Sequence, residues 1–279
     1  MDGNLIYDVG MHDGADTDYY LRKGFRVVAV EADPLLARAA TQRFSSALAD
    51  RRLTIVNRAI ASKPGKVILH RVQNSIWSSL QEDRAELATR KGSSHTDDVE
   101  VEATTSAELL REFGVPYYLK IDIEGLDTTA LRGLSELEDR PQYVSIEAER
   151  RDLTTVREEL SLFQSLGYDR FKVIAQHLVH HQREPVPVRE GTAAGRPAAE
   201  SSGLFGEDLP GRWLDMAAAV DAYRRPLLDH SLTGTDALIK NRWIRAALKR
   251  VGFRAGWYDT HAKLGSRVVI DHVERPSAH

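Results

Sequence analysis

The sequence predicts an α/β fold: a doubly wound, mostly parallel sheet with helices on both faces. Two observations predict it. Over roughly the first 175 residues, short apolar runs alternate with stretches of helical periodicity. The runs are also apolar at successive positions, as in Val27-Val28-Ala29-Val30. Strands of that kind are covered on both faces, which parallel sheets require.

Taken in order, residues 5–9 form the first apolar run and 16–23 a helix stopped by Gly24. Residues 26–30 are the second buried strand, followed by a helix from 34 to about 49. Pro34 suits its first turn, where a missing N–H costs nothing. Residues 53–56 make a third strand, and 67–72, after the Lys63-Pro64-Gly65 turn, an additional one. Thr105 and Glu108 have capping-box spacing ahead of Leu109, so a helix starts there and ends at Gly114. Strands at 117–123 and 142–147 flank a short helix through Ala130, Leu131 and Leu134. Val156, Leu160 and Phe163 recur at helical spacing before Gly167, and 171–175 is the sixth main strand. Residues 189–212 are rich in Gly, Ala, Pro, Ser and Glu without periodicity and read as a mobile loop or linker. Helices at about 214–223 and 237–251 follow. The expected division is a main domain at 1–188, then a loop or lid and a helical C-terminal cap at 189–279.

Composition excludes several chemistries. The 279 residues include no cysteine, which removes thiolate nucleophiles, disulfides and cysteine metal sites. Basic and acidic residues, 38 against 41, nearly balance, so no general nucleic-acid surface is expected. The stretch from Lys240 onward is locally basic and reads as a solvated helix face and tail. No apolar run approaches the ~20 residues that span a bilayer. The start, Met1-Asp2-Gly3-Asn4, has no signal pattern. A soluble, cytoplasmic protein without a membrane partner is the expectation.

Three motifs carry chemistry. Asp8-Val9-Gly10-Met11-His12-Asp13-Gly14 joins the first strand to a helix whose N-terminus offers N–H groups to an anion. Its G-x-x-x-G spacing fails the dinucleotide fingerprint and with it nicotinamide redox chemistry. Glu31, directly after the second strand, is placed to accept hydrogen bonds from ribose hydroxyls. Lys120-Ile121-Asp122-Ile123-Glu124-Gly125 ends a central strand, and Asp122 and Glu124, two apart, share a face. Such a pair can bind a cation, act as a base, or simply join salt bridges with Lys120 or Arg132.

These blocks, with Asn57-Arg58-Ala59-Ile60 and Tyr143-Val144-Ser145-Ile146-Glu147, resemble the FkbM-type methyltransferases over about residues 4–176. The resemblance implies a class I, Rossmann-like fold of seven strands, the last reversed, and S-adenosylmethionine as cofactor. It implies that Asp8, Gly10 and Gly14 surround the methionine part, that Glu31 holds the ribose, and that Asn57 and Ala59 flank the adenine. Ser78 or Ser79 would also approach the cofactor. The commoner family loop reads DVGAN-x-G. Met11-His12-Asp13 departs from it, so His12 could touch cofactor or substrate, or cap the turn.

Methyl transfer to a hydroxyl needs alignment, exclusion of water and a proton acceptor. Asp122 is the first candidate base and Glu124 the second. His261, in Trp257-Tyr258-Asp259-Thr260-His261, is a further candidate through a local Asp–His pair, or packs with the aromatics. His177, His180 and His181 read as loop or edge residues, with a metal or pH-sensitive patch as the alternative. No ligand cluster of metal-binding spacing stands out. Phe205, between glycines and acids in 202–211, suits a hinged lid or an anchored connector. The expected function is O-methylation of a small molecule such as a sugar or natural product. A nucleic-acid or peptide acceptor, or non-catalytic cofactor binding, are the alternatives. Because the first strand starts near residue 5, the C-terminal segment is expected to build much of the acceptor pocket.

Overall fold

The computed structural model describes residues 1–72, 80, 95–123, 125–148, 152–234 and 237–265. Its strands are β1 (Asp2–Val9), β2 (Arg26–Val30), β3 (Leu53–Val56), β4 (Ala59–Ile60), β5 (Gly65–Val72), β6 (His95–Thr104), β7 (Pro116–Ile121), β8 (Tyr143–Glu147), β9 (Tyr168–Ala175) and β10 (Tyr258–Leu264). Seven of them form the main sheet in the order β3-β2-β1-β7-β8-β10-β9. All its pairings are parallel except those of β10, which runs antiparallel to both β8 and β9. The fold is the doubly wound α/β architecture that the sequence predicts, with its last strand reversed. Chain direction along the sheet switches between β1 and β7, and ligands of open α/β sheets lie over such a point.

The local signals act as the sequence reading has them. Thr105 and Glu108 make a complete capping box at helix Ser106–Phe113, and Asp33 caps helix Pro34–Arg43 through the Leu35 N–H. Two differences concern β6 and β10, which the sequence reading does not place. β6 alternates acids with Val99, Val101 and Ala103 and lies between β4 and β5 in a small second sheet, whose one apolar face gathers Ala59, Leu69, Val101 and Ala103.

The division expected at residue 188 does not separate two layers, because β10 lies within the main sheet. Residues 189–212 are no linker either. Leu204, Phe205 and Leu209 are buried, and the Phe205 ring stacks on Tyr118 at 4.8 Å. The buried Lys23 ammonium binds Glu184 and Asp208, each at 2.9 Å, fixing this segment to the end of helix Ala15–Arg22. Irregular backbone can be buried when side chains satisfy it. Here Asp16 accepts from Ser202 N–H, Gln182 from Leu204 N–H, and Glu190 from Glu207 N–H. That is why burial without periodicity escapes a pattern-based reading. One face of the sheet is thus covered by this segment and helix Ala15–Arg22. Helices Ser106–Phe113, Asp127–Gly133, Leu153–Ser165 and Met216–Thr233 cover the other. No helix among the described residues is long and apolar enough to cross a membrane.

Candidate functional site

A cavity of about 570 Å³ opens over the downstream ends of β1, β2, β7 and β8. That volume lies within the usual ~300–1,000 Å³ of small-molecule sites. Gly10 has φ 81°, and a Cβ there would lie 1.8 Å from the Asp122 carbonyl oxygen, so only glycine lets the two strand ends meet. The turn that follows is tied to β2: Gly10 and Met11 N–H both donate to the Val30 carbonyl. His12 takes φ 48°, a left-handed conformation that favours asparagine or glycine. Its N–H donates to Glu31 Oε2 at 2.8 Å, while Asp33 N–H donates to Oε1 at 2.8 Å. Glu31 therefore shapes the loop, yet each oxygen keeps a lone pair for a ligand on the cavity side. Burial pushes its carboxyl up to about 6.

Gly10, His12, Glu31 and Ala59 line this half of the cavity, and Ile60, Leu69 and Leu80 give it apolar walls. Three other expected cofactor contacts fall elsewhere. The Asp8 carboxylate is wholly buried, accepting from Thr17 Oγ1 at 2.7 Å and from Lys120 Nζ at 3.1 Å; it does not line the cavity. Gly14 packs against Phe44, where a Cβ would sit 2.6 Å from the ring. Asn57 Nδ2 donates to the carbonyls of Glu31 and Ala32, holding the turn after β2 rather than facing a ligand. Ser78, Ser79 and Glu124 lie outside the described residues.

The other half is lined by Lys120, Asp122, Glu147, Gln176, His177 and Asp259, with Ser201 and Ser202 from the segment that packs over helix Ala15–Arg22. The Asp122 side chain is 45% exposed and lies 3.7 Å from the Lys120 ammonium. Burial works against that ammonium, but Asp8, Asp16 and Asp122 outweigh it and hold it charged. Asp127, beneath the 122–126 loop, accepts from Ile123 and Gly125 N–H. Burial, with Asp122 and Glu147 nearby, pushes its carboxyl up to about 8. His261 does not reach the cavity. It is 2% exposed, stacks near Tyr118, and burial with Lys172 nearby pushes it down to about 3. An imidazole so buried is a core residue, not a base for a bound molecule. Its neighbour Asp259 is the cavity-lining member of that pair.

Sequence reasoning gives Glu147 and Gln176 no role in the site, treats Asp259 only as the partner of His261, and reads His177 as a loop or edge residue with a metal or pH-sensitive patch as the alternative. Their shared signal is position: each stands at a strand end that meets the cavity edge, which requires the strand order to be known. Among the described residues no three His, Asp or Glu side chains converge closely enough to hold a metal ion.

A family model described as the methyltransferase FkbM domain matches residues 8–170. Comparison with curated proteins gives no match. Among solved structures, similarity extends to methyltransferase FkbM from Methylobacillus flagellatus KT, with 19% identity and a TM-score of 0.37 over 61% of this chain and 39% of that one. It extends also to precorrin-6y C5,15-methyltransferase from Geobacter metallireducens GS-15, with 14% identity and a TM-score of 0.34 over 63% and 68% of the two chains. A third is a SAM-dependent O-methyltransferase from Thermotoga maritima, with 12% identity and a TM-score of 0.37 over 95% and 61%. The match to the first of these takes in well under half of that protein's length.

Proposed function

We propose, from the premise that this chain belongs to the FkbM methyltransferase family, that it moves a methyl group from S-adenosylmethionine to a hydroxyl of a small molecule. The observation that carries the reading is the single cavity running from Glu31 at the end of β2 to Asp122 at the end of β7. Family membership implies the cofactor, and the lining fits it. Glu31 would accept hydrogen bonds from the ribose, Ala59, Ile60 and Leu69 would enclose the adenine, and the excess of acids suits a sulfonium cation. When bound, the cofactor supplies an activated methyl carbon.

The chain's own residues then have three tasks. The loop of Gly10 to His12, braced by Glu31, fixes the donor end. Asp122, open to the cavity, accepts the proton that the acceptor hydroxyl loses on attack. Ser201 and Ser202, held through Asp16, close the cavity against water. Asp8 is a positioning residue: it holds the Lys120 ammonium beside Asp122.

Calorimetry with S-adenosylhomocysteine tests the cofactor half. Two hydrogen bonds to a charged carboxylate are worth about 1.5–3 kcal/mol each. Glu31→Ala is therefore expected to weaken binding at least tenfold, with Glu31→Gln intermediate. No binding by the wild-type chain would overturn the reading.

A further inference from the structure

Ile121 of β7 pairs with Ile146 of β8, so the next residues, Asp122 and Glu147, stand side by side. Glu147 in turn pairs with Asp259 of β10. All three line the cavity. Three acids thus form one row across three adjacent strands, roughly 5 Å apart from strand to strand. Like charges set opposite one another work against a sheet's stability. Lys120 meets the row from one end: its ammonium lies 3.1 Å from Asp8 and 3.4 Å from Asp16, pairs with Asp122 at 3.7 Å, and acts on Asp259 only from farther off.

The far end is the informative one. Asp259 is 8% exposed, and among the described residues its carboxyl has no hydrogen-bond or ion-pair partner. Burial, with Asp122 and Glu147 beside it, outweighs the more distant Lys120 ammonium and pushes that carboxyl well above its usual range. A buried acid without a partner is costly to keep, and an arriving cation removes the cost. Two further atoms near the end of β9 are buried and unsatisfied, Gln176 Nε2 and His177 Nδ1, and both residues line the same cavity. They leave polar partners for a polyhydroxylated molecule.

We propose that the acceptor carries a primary amine, seated as an ammonium between Asp259 and Glu147, while its reacting hydroxyl lies at Asp122. The strand spacing separates the two groups by roughly the width of one sugar ring, so the chemical class is an amino sugar or aminocyclitol. This rests on the methyltransferase reading and narrows its substrate. The row draws its acids from three strands with no convergent set of three ligands among the described residues, which favours an organic cation over a metal ion.

The experiment pairs each free amine with its N-acetylated counterpart, glucosamine with N-acetylglucosamine and the aminocyclitol 2-deoxystreptamine with its di-N-acetyl form. Binding is measured by calorimetry and thermal shift on the full chain saturated with S-adenosylhomocysteine. A free amine is expected to bind at least tenfold tighter than its acetylated partner. In Asp259→Asn that ratio should collapse toward one, while the melting temperature without acceptor stays equal or rises as the row loses a charge. Equal binding of amine and amide, failure of every amine, or retained discrimination in Asp259→Asn would each overturn the proposal. So would a melting shift with Mg²⁺ or Mn²⁺ alone that Asp259→Asn abolishes, since the row would then be a metal site. Failure of S-adenosylhomocysteine to bind would instead strike the methyltransferase reading beneath it.

Discussion

Lys120 is the residue on which the site's electrostatics turn. It is one ammonium among Asp8, Asp16 and Asp122. Lys120→Met leaves Asp8 and Asp16 buried without their cation, and breaking such a group from one side costs about 3–5 kcal/mol. Chemical denaturation is expected to show that loss, and an unchanged midpoint would mean that Asp8 is satisfied by Thr17 alone. Asp127 carries a pH signature. Its carboxyl titrates at about 8 in the folded chain against 3.8 ordinarily, so the folded state binds the proton more tightly. The stability linked to that proton is complete below about 4 and is lost as pH rises through 8. The wild-type melting temperature should therefore carry a falling component between about pH 4 and 8 that levels off above 8, and Asp127→Asn should remove it. Equal falls in both proteins would assign the effect to another group. Legibility at this scale follows the sheet register. Gly10, Asp122 and Asp259 lie in the cavity-edge row, while Asp8, Lys120, Ser145 and His261 lie in the same-face row one step below. Asp8, expected as a cofactor contact, and His261, expected as a base, both belong to that lower row and do not line the cavity. The family resemblance implies a reversed last strand, but no pattern in the sequence locates it at Tyr258–Leu264, and its reversal there is what brings Asp259 rather than His261 to the edge.

At the scale of elements, the parts with a period or a cap were readable and the parts without were not. Capping boxes and apolar strands are local chemistry, and they mark helix Ser106–Phe113 and strand β2 within a residue or two. Residues 189–212 are held by distant partners instead, Lys23 for Asp208, Tyr118 for Phe205 and Asp16 for Ser202. No window along the chain contains both halves of those contacts. The segment's packing has a measurable worth. Phe205 is fully buried among Tyr20, Phe25 and Tyr118. Phe205→Ala is expected to cost about 3–5 kcal/mol and to open the segment to limited proteolysis near Ser202. Ser202→Ala should leave that stability nearly intact. If Phe205→Ala resists the protease as the wild type does, Lys23 and its two acids hold the segment without the ring.

The molecule is built on a main sheet whose sixth position from the β3 edge is filled by the latest described strand. β8 and β9 are adjacent in sequence yet never pair; β10 stands between them with hydrogen bonds to both. This arrangement governs how the chain must be made. During synthesis the stretch through β9 emerges with β8 and β9 each showing an unpaired edge, and some eighty further residues pass before β10 arrives to fill the gap. Contacts of such long sequence separation form slowly, and open strand edges invite pairing with other chains. An interruption between Ala175 and Tyr258 thus leaves a sticky, half-zipped sheet rather than a smaller folded unit. A chain ended at residue 253 should accumulate in aggregates when expressed alone, and a synthetic peptide of residues 254–265 added during refolding should recover soluble, protease-resistant protein. Should the shortened chain prove soluble and cooperative in melting by itself, the late strand would be an ornament of the sheet and not its keystone.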